Sequence, residues 1–201
     1  MSATTGSHPE LELLTGPMFA GKTEALIDVV VHERSLGREV AVFTPVRASC
    51  HENMEILSHA GRSLCAEPFG DANRLLAVRS AEVVAVDEAQ FADPEIVDVL
   101  ATLRRRGAHI ISAALNRNFL GRPFTATSAL RTAADVVHEL RAVCTRCGRP
   151  ASYTQRIEPS GHTTFSGEII EVGGAERYQP RCGTCFEAPP IIRHSRTSGG
   201  I

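Results

Sequence analysis

The sequence predicts an α/β fold in which helices cover both faces of a mostly parallel β-sheet, followed by a small C-terminal metal-binding domain. Three observations support this prediction. Short apolar runs typical of buried strands alternate with segments of helical periodicity as far as residue 143. Two Cys-x-x-Cys pairs follow in a stretch rich in Gly, Pro and polar residues. The length of 201 residues suits one domain with such an appendage.

The composition and charge indicate a globular protein without a preference for polyanions. Hydrophobic residues make up 43% of the chain and charged residues 22%, which is enough for a packed core. The 21 Lys and Arg against 23 Asp and Glu give a net charge of −2, so we expect no nucleic-acid partner and no membrane partner. No apolar run approaches the ~20 residues of a bilayer span, and residues 1–10 lack the features of a signal peptide. We therefore expect a cytoplasmic protein.

Five apolar runs of strand length predict the sheet. They cover residues 11–14, 40–43, 81–86, 109–115 and 136–140. Two intervening segments have the pattern of helices. Residues 23–36 carry apolar side chains at helical spacing and end before Gly37, whereas residues 95–106 follow Pro94 and end before Gly107.

The change in composition near residue 143 divides the chain. We place a larger domain at residues 9–143 and a metal-binding domain at residues 144–188. Residues 1–8 and 189–201 are polar or rich in small residues and are expected to be flexible tails. Residues 44–62 contain a proline and several polar residues and are expected to be irregular.

The strongest motif follows the first predicted strand and fits G-x-x-x-x-G-K-[ST]. It comprises Gly16, Pro17, Met18, Phe19, Ala20, Gly21, Lys22 and Thr23. Its position between a strand and a helix is the context that confirms a P-loop. Backbone N–H groups and the helix N-terminus would hold the phosphates of ATP, Lys22 would add positive charge, and Thr23 would offer a hydroxyl to Mg²⁺. The predicted sheet is therefore that of a P-loop NTPase-like domain.

Two acidic residues, Asp87 and Glu88, follow the third predicted strand in the sequence Asp-Glu-Ala-Gln-Phe. A carboxylate at this strand end faces the P-loop across the sheet, so we assign Asp87, with Gln90 beside it, to the ATP and magnesium site. Glu88 leaves the strand in the opposite direction and is the predicted catalytic base for a hydroxyl acceptor. The alternative is that Glu88 polarises water, which would make the protein an ATPase.

Four cysteines form the two C-terminal pairs, Cys144 with Cys147 and Cys182 with Cys185. Four thiolates complete a tetrahedral zinc site and leave no position for a substrate, so we predict a structural Zn²⁺. The 34 residues between the pairs exceed the usual spacing of a zinc ribbon. Two redox-active pairs and unpaired thiols are the alternatives.

Residues 168–180, between the cysteine pairs, combine an apolar run, paired glycines and a tyrosine. Such a loop could cover a pocket and exclude water, although its composition alone favours a plain hairpin. Phe119 and Phe124 follow the fourth predicted strand, where core packing and a substrate platform are both open.

Taken together, these motifs resemble the type II, zinc-containing thymidine kinases. The resemblance spans residues 11–186, and its order and spacing are more specific than a P-loop alone. The matching segments are residues 16–23, 87–91, 113–119, 122–124, 142–147, 152–154 and 172–185.

The resemblance implies transfer of the ATP γ-phosphoryl group to the 5′-hydroxyl of thymidine, and also of deoxyuridine, for DNA precursor salvage. It makes Glu88 the base and residues 172–178 a lasso-like lid whose backbone binds the thymine edge. It also implies a homotetramer and feedback inhibition by dTTP. The implied substrate-binding residues are Met18, Leu115, Phe119, Phe124, Thr154, Val172, Gly173, Gly174 and Tyr178.

The sequence departs from the family pattern at three places. Ala48 and Cys50 stand where the family has Asp-x-Arg, Asn116 replaces an aspartate, and Ala89 replaces a glycine that many members have. Lowered activity or an altered nucleoside preference would follow from the first two. A nucleotide-binding regulator with reduced or lapsed kinase activity is therefore one alternative function, and a nucleic-acid-dependent ATPase is another.

Overall fold

The structure, a computed structural model, describes residues 10–46, 55–58, 60–171 and 173–190. In chain order its strands are Leu11–Gly16 (β1), Val40–Pro45 (β2), Glu55–Leu57 (β3), Ser63–Cys65 (β4), Glu67–Phe69 (β5), Val83–Val86 (β6), His109–Leu115 (β7), Val136–Glu139 (β8), Ala142–Val143 (β9), Pro150–Ala151 (β10), Tyr153–Arg156 (β11) and Tyr178–Arg181 (β12). Its α-helices are Lys22–Ser35 (α1), Ile96–Arg105 (α2) and Thr125–Ala133 (α3). Short 3₁₀ helices cover Ala72–Ala77 and Ala89–Phe91.

Within the described ranges, six strands form one sheet in the order β5–β2–β6–β7–β1–β8. All of its pairings are parallel, so the carboxyl ends of the strands lie at one edge. The loops after β1, β6 and β7 leave from that edge, where ligands bind in open α/β sheets. The predicted fold class is confirmed.

Two apolar cores lie on opposite faces of this sheet. On β6, Val84 and Val86 pack with α2 in one core, whereas Val83 and Ala85 pack with α1 in the other. This alternation follows from the period of two along a strand. Because both faces are covered, the strand is apolar at every position, as expected for a buried parallel sheet.

The five predicted strands and both predicted helices are present, with ends that differ by a few residues. Strand β5, the hairpin β3–β4 and helix α3 are among the elements that were not predicted. Strand β5 has only three residues and includes Pro68, which an edge strand tolerates. The hairpin β3–β4 lies partly in the stretch expected to be irregular. Helix α3 has only nine residues and buries Ala126, Thr127 and Leu130, so it contains a single large apolar side chain that could mark it in the sequence.

The C-terminal module consists of two small antiparallel sheets, β9–β10 and β11–β12. Its core contains Ala142, Ala151, Cys144 and Cys182. Phe19 from the loop after β1 packs against this core, so the module touches the sheet edge that carries the P-loop. The predicted boundary at residue 143 stays a prediction, because β9 lies on one side of it and its partner β10 on the other.

We predict that Gly16→Ala destabilises the protein. A Cβ atom at Gly16 would lie 2.5 Å from the backbone oxygen of Leu140, and neither backbone segment can move freely. Forced overpacking of this kind costs about 1–3 kcal/mol. Urea denaturation measures the expected fall in the free energy of unfolding.

Gly70→Ala is the matched control, because a Cβ atom there meets nothing within 4 Å. It should unfold like the wild type. Equal stability of Gly16→Ala and Gly70→Ala would contradict the proposed steric constraint at Gly16.

Candidate active site

The loop between β1 and α1 buries the side chain of Lys22, which follows it in the sequence. Phe19 and Gly21 have φ angles of 64° and 78°, the left-handed conformation that Gly21 adopts without strain. Lys22 is only 7% exposed, and its Nζ donates to the backbone oxygen of Pro17 at 2.8 Å. Helix α1 begins at Lys22, so its free N–H groups face the same loop. This arrangement suits a polyphosphate.

Asp87 meets the P-loop at the end of β6. Thr23 Oγ1 donates to Asp87 Oδ2 at 3.0 Å, and the Asp87 side chain is buried. A hydroxyl and a carboxylate oxygen are donors of the kind that Mg²⁺ accepts beside substrate phosphates. These two residues therefore fit the magnesium role that their sequence positions predicted.

Three ionisable side chains share this strand edge. Burial lowers the pKa of Lys22, and the carboxylates of Glu88 and Asp87 counteract that shift. Burial, and then the charge of Glu88, raise the pKa of Asp87 to about 7, although its bond from Thr23 opposes the change. The site thus places the buried cation of Lys22 beside the Asp87 carboxyl group, whose pKa is raised to about 7.

Glu88 adopts the left-handed conformation, with φ of 52°. This turn follows the buried Asp87 and brings Glu88 to a half-exposed position. Gln90 Nε2 donates to Glu88 Oε2, and Gln90 Oε1 accepts from the backbone N–H of Leu115 at 2.8 Å. Gln90 therefore connects the carboxylate to the end of β7. Both Asp87 and Glu88 line the cavity described next, and Gln90 does not.

A cavity of about 490 Å³ joins the P-loop to a largely apolar pocket. From the phosphate side it is lined by Met18, Phe19, Gly21, Lys22 and Thr23. From the acceptor side it is lined by Leu115, Phe119, Phe124, Thr154, Gly173 and Tyr178. Asp87 and Glu88 line the same space. A nucleotide phosphate and an organic alcohol can therefore meet within one cavity.

Some predicted site residues do not line the cavity. They are Gly16, Pro17, Ala20, Gln90 and Gly174, and Val172 lies outside the described residues. Gly16 and Pro17 still shape the P-loop, since Pro17 accepts the bond from Lys22. The assignment of Gln90 to ATP or magnesium stays a prediction, whereas its contacts indicate that it orients Glu88.

Sequence reasoning missed several lining residues. Residues 55–58 and Ala60 of the hairpin β3–β4 border the cavity, and no motif marked them. Phe91 also lines it and packs edge-on against Phe124, with ring centroids 6.1 Å apart. Its place at the end of the Asp-Glu-Ala-Gln-Phe sequence was an available signal.

Of the predicted loop at residues 168–180, residues 178–180 belong to β12, which pairs antiparallel with β11. Residues 168–177, which we call the lid segment, contain no regular secondary structure among their described residues, so they form no hairpin of their own. Ile169, Ile170, Glu171 and Gly173 line the cavity. The Tyr178 hydroxyl donates to the backbone oxygen of Glu171 at 2.8 Å. The segment thus covers the acceptor pocket.

The four C-terminal cysteines converge. Their sulfur atoms all lie within 4.8 Å of one another, and Cys147 and Cys182 are 3.6 Å apart. A tetrahedral site with Zn–S bonds of about 2.3 Å places sulfurs about 3.8 Å apart, so the residues fit zinc. The alternatives of redox pairs and separate thiols do not explain why all four sulfurs meet at one point.

The thiols of this cluster differ in acidity. Burial opposes ionisation of Cys144, but backbone N–H groups, that of Cys182 first, lower its pKa to about 6. Interaction with Cys147, followed by burial, raises the pKa of Cys185 to about 12. A metal ion that binds all four sulfurs must therefore displace protons, which makes its affinity dependent on pH.

The departures from the family pattern have different surroundings. Asn116 Nδ2 donates to the backbone oxygen of Ser152 at 2.9 Å, which ties the loop after β7 to the C-terminal module. Ala89 is completely buried. Ala48 and Cys50 lie outside the described residues.

The P-loop, the paired carboxylates and the enclosed acceptor pocket define a P-loop phosphotransferase. Comparison with known proteins gives the family. The model of the thymidine kinase family matches residues 9–186. A thymidine kinase from Rhodothermus sp. (strain ITI 518) is 36% identical over 185 residues, which cover 92% of this chain and 84% of that protein. The chain belongs to the thymidine kinase family.

In the parts of the chain that the structure describes, no helix has both the length and the apolar character needed to cross a bilayer.

We predict that Cys182→Ser loses the bound metal, because a hydroxyl replaces one of four thiolate ligands at a buried position. Elemental analysis of the purified protein should show zinc in the wild type and a large loss in the variant. The variant should also unfold at a lower temperature, since structural zinc contributes folding free energy.

Cys65→Ser is the control, because Cys65 is exposed and lies outside the cluster. It should keep the wild-type metal content. Undiminished zinc in Cys182→Ser would rule out the four-cysteine site.

We predict that Asp87→Asn stabilises the ligand-free protein at pH 8. The folded pKa of Asp87, about 7, exceeds its ordinary value of 3.8, so ionised Asp87 disfavours the folded state. This penalty is complete above pH 7 and disappears as the pH falls toward 4. Thermal unfolding should show a gain on the order of 1–3 kcal/mol at pH 8 that shrinks at pH 5.

Asp135→Asn is the control, and its effect on stability at pH 8 should be opposite to that of Asp87→Asn. The backbone N–H of Leu11, with Arg104, holds the pKa of Asp135 below its ordinary value, so its charge favours folding at pH 8. That variant should be less stable than the wild type. A destabilised Asp87→Asn at pH 8 would refute the electrostatic description of the site.

Proposed function

We propose that this protein transfers the γ-phosphoryl group of ATP to the 5′-hydroxyl of thymidine and forms dTMP for the salvage of DNA precursors. One observation carries the proposal: the P-loop, Glu88 and the aromatic pocket open onto the same cavity. Membership of the thymidine kinase family and the 36% identical thymidine kinase agree with it.

The phosphate end of the cavity binds ATP. Backbone N–H groups of Gly16, residues 18–23 and the N-terminus of α1 surround the phosphates. Lys22, whose Nζ bonds to Pro17 in the structure, supplies positive charge to the transferred group. Thr23 and Asp87 would hold the magnesium that accompanies ATP, which would supply positive charge beside the phosphate oxygens.

Glu88 acts as the general base. Gln90 holds its Oε2 atom, so we assign acceptance of the 5′-hydroxyl proton to Oε1. The half-exposed position of Glu88 on the cavity lets it reach an alcohol. Phosphoryl transfer relies mainly on positioning and charge stabilisation, and a positioned base adds to both.

The acceptor end binds the nucleoside. Met18, Leu115 and Thr154 form part of its wall, Phe119, Phe124 and Tyr178 supply aromatic surface, and the glycines of the lid leave room for backbone contacts to the base. Thr154 Oγ1 accepts from the backbone N–H of Met18 at 3.0 Å, which joins this pocket to the P-loop. A closed lid keeps water from competing with the 5′-hydroxyl for the phosphoryl group.

Several finer points belong to this proposal. Zinc held by the four cysteines stabilises the C-terminal module and does not bind substrate. Deoxyuridine is a second acceptor, and dTTP inhibits by occupying the substrate site. The protein acts in the cytoplasm as a homotetramer, with a kinase domain at residues 9–143 and a zinc and lid domain at residues 144–188.

The alternative functions are not favoured. A regulator without activity would not need an acceptor pocket joined to the P-loop and Glu88. A nucleic-acid-dependent ATPase would need a basic groove with aromatic residues, and the net charge of −2 does not suggest one. Monophosphate formation from thymidine and Mg-ATP, followed by chromatography, tests the proposal against both.

We predict that Glu88→Gln lowers kcat about 10²–10⁴-fold, the range expected when a positioned base is removed. The amide keeps the shape of the side chain, and the P-loop is untouched, so ATP affinity should remain near the wild-type value. Steady-state kinetics and nucleotide binding measure the two quantities.

Glu95→Gln is the control, because Glu95 is exposed at the start of α2. It should leave kcat and ATP affinity unchanged. Wild-type turnover by Glu88→Gln would show that another group accepts the proton.

A further inference from the structure

Arg156 is a buried cation whose role the proposed reaction does not assign. It ends β11, and its side chain is only 4% exposed. A buried guanidinium requires acceptors for its N–H groups and a compensating charge. The structure provides acceptors for Nη1 and Nη2, but not for Nε, from the lid and from the walls of the nucleoside pocket, so Arg156 lies between the two.

The lid contacts come mainly from backbone oxygens. Arg156 Nη2 donates to the oxygen of Glu168 at 2.8 Å, and Nη1 donates to that of Ser166, just before the lid segment, at 3.1 Å. The Glu171 carboxylate lies 3.3 Å from Nη1. These three acceptors lie within six residues of one another, so one side chain holds the first half of the lid.

The pocket contacts involve two aromatic residues that line the cavity. The guanidinium carbon of Arg156 lies 3.8 Å from the centroid of the Phe119 ring, a cation–π contact made away from solvent. Nη2 also donates to the hydroxyl of Tyr178 at 2.6 Å. Tyr178 in turn donates to the backbone oxygen of Glu171, so the lid and the pocket share one hydrogen-bonded network.

Displacement of the lid would therefore have an electrostatic consequence. Arg156 would lose the carboxylate of Glu171 and the carbonyl of Glu168 while its side chain stayed against Phe119. An uncompensated buried charge is strongly unfavourable. The cation thus favours the ordered lid and, through Phe119 and Tyr178, the arrangement of the pocket.

We propose that Arg156 is the positioning residue that couples order in the lid to the shape of the nucleoside pocket. It acts through Phe119, Tyr178 and the lid backbone and does not touch the reacting atoms. The inference rests on the proposed thymidine kinase function for the identity of the nucleoside, but the link between Arg156 and the lid depends only on these contacts.

Arginine is suited to this task in a way that lysine is not. Its planar group presents several N–H donors in a fixed fork and stacks on an aromatic face at the same time. A lysine ammonium is a compact charge on a flexible stem, so it can satisfy one or two acceptors without the stacking. The conservative variant should therefore retain part of the effect.

The experiment compares Arg156→Met, Arg156→Lys and Arg181→Met. Arg181 is the matched control because it is also buried, at 6% exposure, on the adjacent strand β12. Its bonds go to Thr145, Gln179 and Pro180 and not to the lid. The readouts are KM for thymidine, KM for ATP, zinc content and hydrogen exchange of a peptide covering residues 163–177.

We expect Arg156→Met to raise KM for thymidine at least about tenfold, because hydrogen bonds to a charged group are lost. KM for ATP and zinc content should not change, and the lid peptide should exchange faster. Arg156→Lys should fall between this variant and the wild type, and Arg181→Met should leave KM for thymidine and lid exchange unaltered.

The inference would be overturned if Arg156→Met kept both the wild-type KM for thymidine and the wild-type rate of lid exchange. It would also be overturned if Arg181→Met raised KM for thymidine and made the lid exchange faster. If Arg156→Met does not fold, Arg156→Lys decides, and unchanged values in that variant overturn the inference. If the wild type does not phosphorylate thymidine, the proposed function fails, and the hydrogen exchange comparison alone decides whether Arg156 orders the lid.

Discussion

The burial of opposite charges at one edge of the sheet is the constraint on which the site depends. Lys22 and Asp87 are both almost fully buried, and Glu88 stands beside them. The two carboxylates oppose the fall in the pKa of Lys22 that burial causes, whereas the charge of Glu88 adds to the rise in the pKa of Asp87. The ligand-free site is therefore charged and incompletely compensated, which is the state that a phosphate with its cation can relieve.

The C-terminal module completes this site from the outside. Thr154 binds the P-loop backbone at Met18, and Phe19 packs on the module core. The chain after the last cysteine is held as well, because Gln155 exchanges two hydrogen bonds with the backbone of Glu187. A metal that holds the cysteines together would thus stabilise the wall of the nucleoside pocket without contact with substrate.

Much of the fold and part of the site were predictable from the sequence. The P-loop, the acidic pair after β6 and the two cysteine pairs are local patterns in which neighbouring residues determine the geometry. Helix α3 and the hairpin β3–β4 were missed because both are short: α3 has nine residues with a single large apolar side chain, Leu130, and each strand of the hairpin has three residues. The assignment of Gln90 to ATP or magnesium stays a prediction, and its bonds to Glu88 and Leu115 are contacts that no spacing reveals.

The sequence alone determined the chemical groups available to this protein: a phosphate loop, a carboxylate base and four thiols. Their geometry is set within short segments, where backbone conformation follows from a few adjacent residues. Only the tertiary structure decided that the phosphate loop and the carboxylate base share one cavity, and that Arg156 lies between the lid and the aromatic wall of that cavity. Such contacts join segments far apart in the chain, and they arise from packing and charge compensation, which sequence spacing does not encode.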